Sequence, residues 1–270
     1  MSDHPSSDLS QAQALKQYSG DPDFMASLAR GLLVIGAFSK QHRRQTIADL
    51  ARHTDLPRAT VRRCLYTLKA LGYVDQHDSL FQLKPKVLTL GYAYLSSTHM
   101  AVTAQPYLER VSTAVNESCS LAVLENNEIL YVCRSPTKRV MSVVLSVGSR
   151  LPAYCSSMGR VLLAALTEAE RAEYYAQVKC LPLTAHTIYQ AAELEPILTQ
   201  VRAQGYAIID QELELGLRSI AVPVRNVLGE VVAAMNVSTQ ASLISLEEMK
   251  TRLLPVLLSS AEDLSTQLGI

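Results

Sequence analysis

Four cations, Arg58, Arg62, Arg63 and Lys69, lie within one short stretch of the chain, with Thr60 among them. A guanidinium presents a fork of N–H donors that fits the O6 and N7 acceptors of guanine, and threonine can meet either a base edge or the backbone. Any of the four cations can also neutralise a phosphate. At 100° per residue, Ala59, Arg62, Arg63 and Tyr66 share one side of a helix, and Val61, Cys64, Leu65, Leu68 and Leu71 share the other. One face is then free for a core and the opposite face for a DNA groove. Arg62 and Arg63 are expected to reach bases or phosphates, with Arg58, Thr60 and Lys69 at the rim. Thr46, Ala59, Tyr66 and His77 border the same surface. The plainer alternative is a solvated helix face.

A second set of residues suits a small acid. Arg134 closes the apolar run 129–133, and a guanidinium grips a carboxylate with two prongs. Ser156 and Ser157 precede a helix expected from Gly159, so their hydroxyls and the first-turn amides could hold the same group. Asn236 and Ser238 are two apart and project from one face of a strand. Each has a simpler explanation. Arg134 and Arg218 could stand at solvent-facing strand ends, and Tyr154 and Met158 could pack a core as readily as clamp a ring. Asp210, Glu212 and Glu214 alternate, so one strand face would carry three charges, as a solvated edge or as a partner for Arg218. Three carboxylates lining a pocket would repel an acid.

Nucleophilic chemistry has little support. Cys155 sits beside two serines, yet there is no G-x-S-x-G or S-x-x-K, and no histidine follows before His186. No catalytic residue is expected. The rival from that class is a Ser/Cys hydrolase carrying an accessory DNA-binding module; a further rival is a nucleoid-type binder without a ligand. The cysteines, Cys64, Cys119, Cys133, Cys155 and Cys180, are odd in number, far apart and free of C-x-x-C or zinc-like spacing. No metal site and no cofactor is expected, since P-loop and G-x-G-x-x-G motifs are also missing.

These side chains need a scaffold, and its signals are local. Thr46 and Asp49 fit a capping box, residues 53–56 make a turn, Pro57 suits a helix start and Gly72 a helix stop. Residues 73–76 and 80–83 flank the polar turn 77–79 and read as a two-stranded wing. An earlier helix begins near Ser27 and ends near Phe38, followed by a basic loop at 39–44. Residues 84–100 read as a linker helix, with another helix at 106–115. Beyond it, 121–125 and 129–134 read as a hairpin, and 140–147 as a third strand. Helices follow at 159–166, 168–178 and 194–204, strands at 206–210, 219–225 and 230–238, and a last helix at 246–268. Strands and helices mix without strict alternation, so the class is α+β with two domains. The expected layout is a mobile tail at 1–24, a DNA-binding domain at 25–84, a linker helix at 85–100, and an effector-binding and oligomerisation domain at 101–270.

Charge is distributed to match. The 270 residues carry 25 Lys/Arg and 25 Asp/Glu, a net charge of zero. Residues 30–86 nevertheless hold eleven Lys/Arg against four Asp, a net of +7, with −3 before and −4 after. Positive charge gathers where DNA would be read. A hydrophobic share of 48% supports real cores. The polar N-terminus reads as no signal peptide, and no apolar run approaches the roughly 20 residues of a membrane span. A cytoplasmic location with free thiols and no membrane partner is expected.

The segment Leu56-Pro57-Arg58-Ala59-Thr60-Val61 resembles the Leu-Pro-Arg-Ser-Thr-Val start of the recognition helix in IclR-type transcription regulators, departing at Ala59. Leu151-Pro152-Ala153-Tyr154-Cys155-Ser156-Ser157-Met158-Gly159-Arg160 is similar to that family's Leu-Pro-x-x-x-(Ala/Ser)-x-x-Gly-Lys segment. Glu214-Leu215-Gly216-Leu217-Arg218-Ser219 is similar to its Gly-Leu-Arg signature. The resemblance runs from about residue 24 to the C-terminus. It implies a winged helix-turn-helix, a linker helix and a GAF-like C-terminal effector domain with an antiparallel sheet. It implies a pocket lined by Cys155, Ser156, Ser157, Met158, Asp210, Leu217, Ser219, Asn236 and Ser238, to which Arg134, Tyr154 and Arg218 are added here. Ser157-Met158 replaces the family's usual Gly-Ala with a bulkier, more polar pair. Val132-Cys133-Arg134-Ser135 and Glu214-Leu215-Gly216-Leu217 are similar to the subgroup governing breakdown of protocatechuate and 4-hydroxybenzoate. The implied partners are double-stranded DNA with two half-sites, a second copy of the chain in a dimer or tetramer, and an aromatic carboxylic acid as effector. An aliphatic oxoacid is the alternative effector.

Overall fold

The computed structural model describes residues 12, 15–39, 42–91, 100–137 and 145–268, and the chain divides into two compact units, Met1–Ser97 and Thr98–Ile270. In the first unit, helices α1 (Ala26–Gly36), α2 (Ile47–Thr54) and α3 (Arg58–Ala70) pack with a ribbon of β1 (Val74–His77) and β2 (Leu80–Leu83). The Thr46 hydroxyl accepts the Asp49 amide at 3.2 Å, and the Asp49 carboxylate accepts the Thr46 amide at 3.1 Å, so the start of α2 is satisfied from both sides. Val34, Leu50, Leu56, Val61, Leu65, Leu68, Val74 and Phe81 close the core. Leu71, placed on the buried stripe from sequence, is exposed because α3 ends at Ala70; Cys64 is half-buried. Gly72 turns left-handed at φ 80°, which lets the Tyr73 amide reach the Leu68 carbonyl at 2.8 Å and halt the helix.

The wing differs slightly from expectation. His77 pairs with Leu80 inside the ribbon, leaving Asp78-Ser79 alone as the turn. Gln45 also bridges to Phe81 and extends the ribbon. Residues 15–24, read as tail, include the 3-10 turn Leu15–Tyr18, with the Tyr18 ring stacked on Phe24 at 4.4 Å. Of the linker at 85–100, residues 85–91 are helical, beginning with the 3-10 turn Pro85–Val87; most of the remainder lies outside the described residues.

The second unit is α+β. Its elements are α4 (Met100–Val115), β3 (Ser118–Glu125), β4 (Glu128–Ser135), β5 (Arg150–Pro152), α5 (Ser157–Ala165), α6 (Glu168–Gln177), α7 (Ala191–Gln204), β6 (Ala207–Asp210), β7 (Leu217–Arg225) and β8 (Val231–Gln240). A last helix, α8, joins Leu246–Glu248 to Leu254–Ser265 through a π-helical turn, Met249–Leu253. The sheet is antiparallel in the order β5-β4-β3-β8-β7-β6. Strand alternation sends Cys119, Leu121, Ile220, Val222, Met235 and Val237 to one face, under α4 and α8. It sends Ala122, Ile129, Tyr131, Ala221 and Ala234 to the other, under α5 and α7.

Helix starts were the weakest expectation. The helices expected from 106 and from 194 begin earlier, α4 at Met100 and α7 at Ala191, and each carries a proline inside, Pro106 and Pro196. Each proline forfeits one helical hydrogen bond. Burial of Ala104, Leu108, Val111 and Val115 in one helix, and of Leu194, Leu198 and Val201 in the other, offsets that loss. The strand expected at 140–147 lies mostly outside the described residues. Residues 145–147 are not strand, and among the described residues the sheet edge is β5, through Leu151 beside Ile129.

Candidate functional site

The outer side of α3 carries its cations into solvent. Arg58, Ala59, Arg62, Arg63, Tyr66 and Lys69 are exposed, and Thr60 is half-buried. Among the described residues, nothing bonds the guanidinium of Arg58, Arg62 or Arg63. Lys69 is held: its Nζ donates to Gln76 Oε1 on the wing at 3.0 Å, and the Gln76 amide donates on to the Asp78 carbonyl at 2.8 Å. His77 Nε2 lies 3.3 Å from Asp75. The Thr46 hydroxyl is committed to Asp49 as the cap of α2, so any DNA contact there falls to its neighbours. Arg44 adds a cation beside the wing, donating to Gln82 at 3.1 Å. It was missed as an individual residue, although the basic run at 39–44 marked the place.

The second unit holds a cavity with about 530 Å³ of atom-free space, its mouth included. Its apolar lining comes from Tyr131, Leu145, Leu151, Met158, Ile209, Leu213 and Leu217. Arg134, Ser219, Asn236 and Ser238 line it from a polar patch on the α5 face of the sheet, which Ser120 joins outside the lining. Arg134 on β4, Ser120 on β3 and Asn236 on β8 lie directly opposite one another in register, with Ser219 and Ser238 one step along. A bulge makes this possible. Tyr131 and Arg134 are three apart and would face opposite ways on a regular strand. The register shift opposite Leu121/Ala122 inserts one residue of β4, and both then line the cavity.

The floor is not self-satisfied. Arg134 Nη1 donates to Ser120 Oγ at 3.1 Å, and no carboxylate among the described residues pairs with the guanidinium. Burial holds its pKa below the ordinary arginine value. Asn236 Nδ2 donates to Ser238 Oγ at 3.0 Å, which leaves Asn236 Oδ1 buried without a donor. Ser157 Oγ is also buried without a partner. Two such groups facing one space suit a polar ligand. Ser156 is not available in the same way, because its hydroxyl caps α5 by accepting the Gly159 amide at 3.2 Å. Burial, with Glu212 nearby, pushes the Cys155 thiol up to about 12, so at neutral pH it is an uncharged wall residue.

Three residues expected at the ligand lie elsewhere. Tyr154 turns away, its hydroxyl donating to the Leu181 carbonyl at 2.9 Å and accepting the Leu181 amide at 3.1 Å. Arg218 pairs with Asp210 at 2.8 Å and also donates to the Ile244 carbonyl at 2.6 Å. The guanidinium holds the Asp210 carboxyl below the usual range, and neither residue lines the cavity. The alternation of Asp210, Glu212 and Glu214 fails because β6 ends at Asp210 and Gln211 turns left-handed at φ 62°. Glu212 is thereby carried inward to Arg160. Of the lining, Cys155, Ser156, Ser157, Met158, Leu217, Ser219, Asn236, Ser238 and Arg134 had been named from sequence.

Gly159 explains the spacing of the 151–160 segment. A Cβ there would sit 2.1 Å from the Ala153 carbonyl oxygen, so the segment can cross α5 only over a glycine. That crossing brings Ser157 and Met158 to the cavity. Among the described residues no group of His, Cys, Asp or Glu is arranged to hold a metal, and no helix is long and apolar enough to cross a membrane.

The comparisons agree with this two-part arrangement. Residues 27–78 match the IclR helix-turn-helix domain, and residues 92–266 match the C-terminal domain of bacterial transcriptional regulators of the IclR type. The chain is 50% identical over 260 residues to the Pca regulon regulatory protein of Pseudomonas putida, covering 96% of this chain and 89% of that one. It is 34% identical over 247 residues to the p-hydroxybenzoate hydroxylase transcriptional activator of Acinetobacter baylyi, covering 90% and 91%. A solved IclR homolog from Microbacterium hydrocarbonoxydans, complexed with 4-hydroxybenzoate, superposes with a TM-score of 0.80 at 27% identity, covering 90% of this chain and 99% of that one. With a winged helix-turn-helix, a cavity over a polar floor and both matched domains in order, the chain belongs to the IclR family of bacterial transcriptional regulators.

Proposed function

We propose that this chain controls genes for aromatic-acid breakdown, reading DNA through α3 and sensing a small aromatic carboxylic acid in the cavity of its second unit. The observation that carries the reading is Arg134, a half-buried cation with no carboxylate partner among the described residues, facing an apolar space beside unsatisfied Ser157 and Asn236. A guanidinium so placed supplies two donors to a carboxylate. Tyr131, Leu145, Leu151 and Met158 supply surface for a ring. Ser219 and Ser238 complete the polar end. The names of the two relatives and the bound acid of the solved homolog point the same way.

On DNA, Arg62 and Arg63 serve as base readers and Arg58, Thr60 and Lys69 as backbone contacts, with Thr46, Ala59, Tyr66 and His77 at the border. One helix-turn-helix binds weakly, so a cytoplasmic homodimer or tetramer places two readers on half-sites near 10 bp apart or a multiple of it. The acid acts by preferring one of two arrangements of the assembly. No turnover is involved; the neutral Cys155 thiol is in keeping with this.

A thermal-shift panel tests the effector and a salt series tests the DNA. The expected results are stabilisation by 4-hydroxybenzoate or protocatechuate, and DNA affinity that falls steeply with salt. A response confined to aliphatic oxoacids would replace the aromatic ligand. Salt-insensitive DNA binding would remove the arginine face.

A further inference from the structure

Two walls of the cavity come from segments far apart in sequence: residues 151–158 leading into α5, and residues 209–219 around the β6–β7 turn. Behind them, outside the lining, Arg160 and Glu212 form an ion pair whose side chains are 3% and 8% exposed. Nη1 donates to Oε1 at 2.8 Å and Nη2 to Oε2 at 2.5 Å. Arg160 Nε also donates to the Tyr154 carbonyl at 3.0 Å, gripping the backbone of the first wall. Glu212 Oε2 accepts the Ile188 amide at 3.0 Å, while the Glu212 carbonyl accepts the Thr187 hydroxyl at 2.6 Å.

We propose that the Arg160–Glu212 pair is a positioning clamp that sets the separation of the two cavity walls, and through it the affinity for the acid. The effector role of the cavity rests on the reading above; the clamp itself does not. Within 211–216, Glu212 is the one buried side chain. Left-handed Gln211 and Gly216, at φ 62° and 80°, bound the turn, and Leu215 is exposed. Leu213 packs inward beside the cavity, and the Thr184 hydroxyl holds the Gln211 carbonyl at 2.7 Å, but it is Glu212 that ties the turn to the opposite wall. Arg160 is likewise the single charge in residues 151–166. An apolar pair of similar volume is often as stable as a buried ion pair, so stability alone is a poor reason for this one. A bidentate fork that also holds a backbone carbonyl fixes direction as well as distance, which an apolar pair does not.

The test is hydrogen exchange on the ligand-free full chain. In Arg160→Met/Glu212→Leu, amides of 155–158 and 211–217 should lose protection together, by about tenfold or more, corresponding to about 1.4 kcal/mol of local opening. Amides of α4, β3 and β8 should keep parental protection. Parental exchange in either wall overturns the clamp. Glu212→Gln, which keeps shape and much of the hydrogen bonding, should loosen the same two segments to a smaller degree, and it decides the matter if the double variant does not fold. Calorimetry with 4-hydroxybenzoate supplies the second readout. The folded double variant should bind about tenfold more weakly than the parent, and equal Kd values would overturn the proposal. If the parent binds neither 4-hydroxybenzoate nor protocatechuate, the effector reading fails, and the exchange result alone decides the clamp.

Discussion

Arg62 on α3 and Arg134 on β4 are the same side chain in opposite surroundings. Arg62 stands in water, where a single ion pair is screened and contributes little. In the proposed role its value would come from acting with neighbours along a polyanion, and would fade as salt rises. Arg134 is half-buried, its charge is disfavoured by burial, and only an anion entering the cavity would offset that cost. Arg160 is more deeply buried, yet Glu212 satisfies it within the fold. On the roles proposed above, exposure separates a reader, a sensor and a strut built from one residue type.

The comparison breaks first at the strut. Glu212→Leu leaves Arg160 buried and unpaired and should cost about 3–5 kcal/mol in urea denaturation. A loss near zero would mean that water reaches Arg160. Gly159→Ala comes next. At an open helix position the change would stabilise by up to about 1 kcal/mol, but the 2.1 Å approach to Ala153 should reverse the sign and cost about 3 kcal/mol. At the sensor, 4-hydroxybenzoate at about 100 times its Kd should stabilise the parent by roughly 2.7 kcal/mol. Arg134→Met should lose that response while its ligand-free Tm holds or rises; an undiminished shift would remove Arg134 from the acid. At the reader, Arg62→Ala should cost about 1–3 kcal/mol on the best site and relax one base pair, as read by competition binding. Lys69→Ala should be the mildest change, weakening all sequences alike and flattening the salt slope by about one. A parental slope would mean that Gln76 keeps Lys69 off the phosphates.

The reader was legible because its signals are local. A capping box, a turn, a proline and an apolar stripe lie within one stretch, and each acts on its nearest neighbours. The errors there were small, and Leu71 fell outside because the helix ends just before it. The sensor was less legible because its geometry is non-local. Ser120, Arg134 and Asn236 meet across three strands, and Tyr131 joins them through a bulge that no period-2 reading anticipates. The alternating serines of Ser118-Cys119-Ser120 hinted at a polar floor. The lone charge at Arg160 hinted at a buried partner, but nothing in the sequence named Glu212. Arg218 and Asp210 were placed among the ligand residues, with a solvated edge or mutual pairing also read for the acidic run, and the pairing is what the fold contains.

The central claim is that an acid at Arg134 governs DNA held by the arginines of α3. Fluorescence anisotropy on an operator selected from a random-sequence pool, titrated with and without 4-hydroxybenzoate, tests it in one measurement. The account predicts that the acid moves the parental binding midpoint by about 5-fold or more, the usual scale of allosteric coupling, and that it leaves the Arg134→Met midpoint in place. A parental midpoint indifferent to the acid, or an equal shift in Arg134→Met, would contradict it.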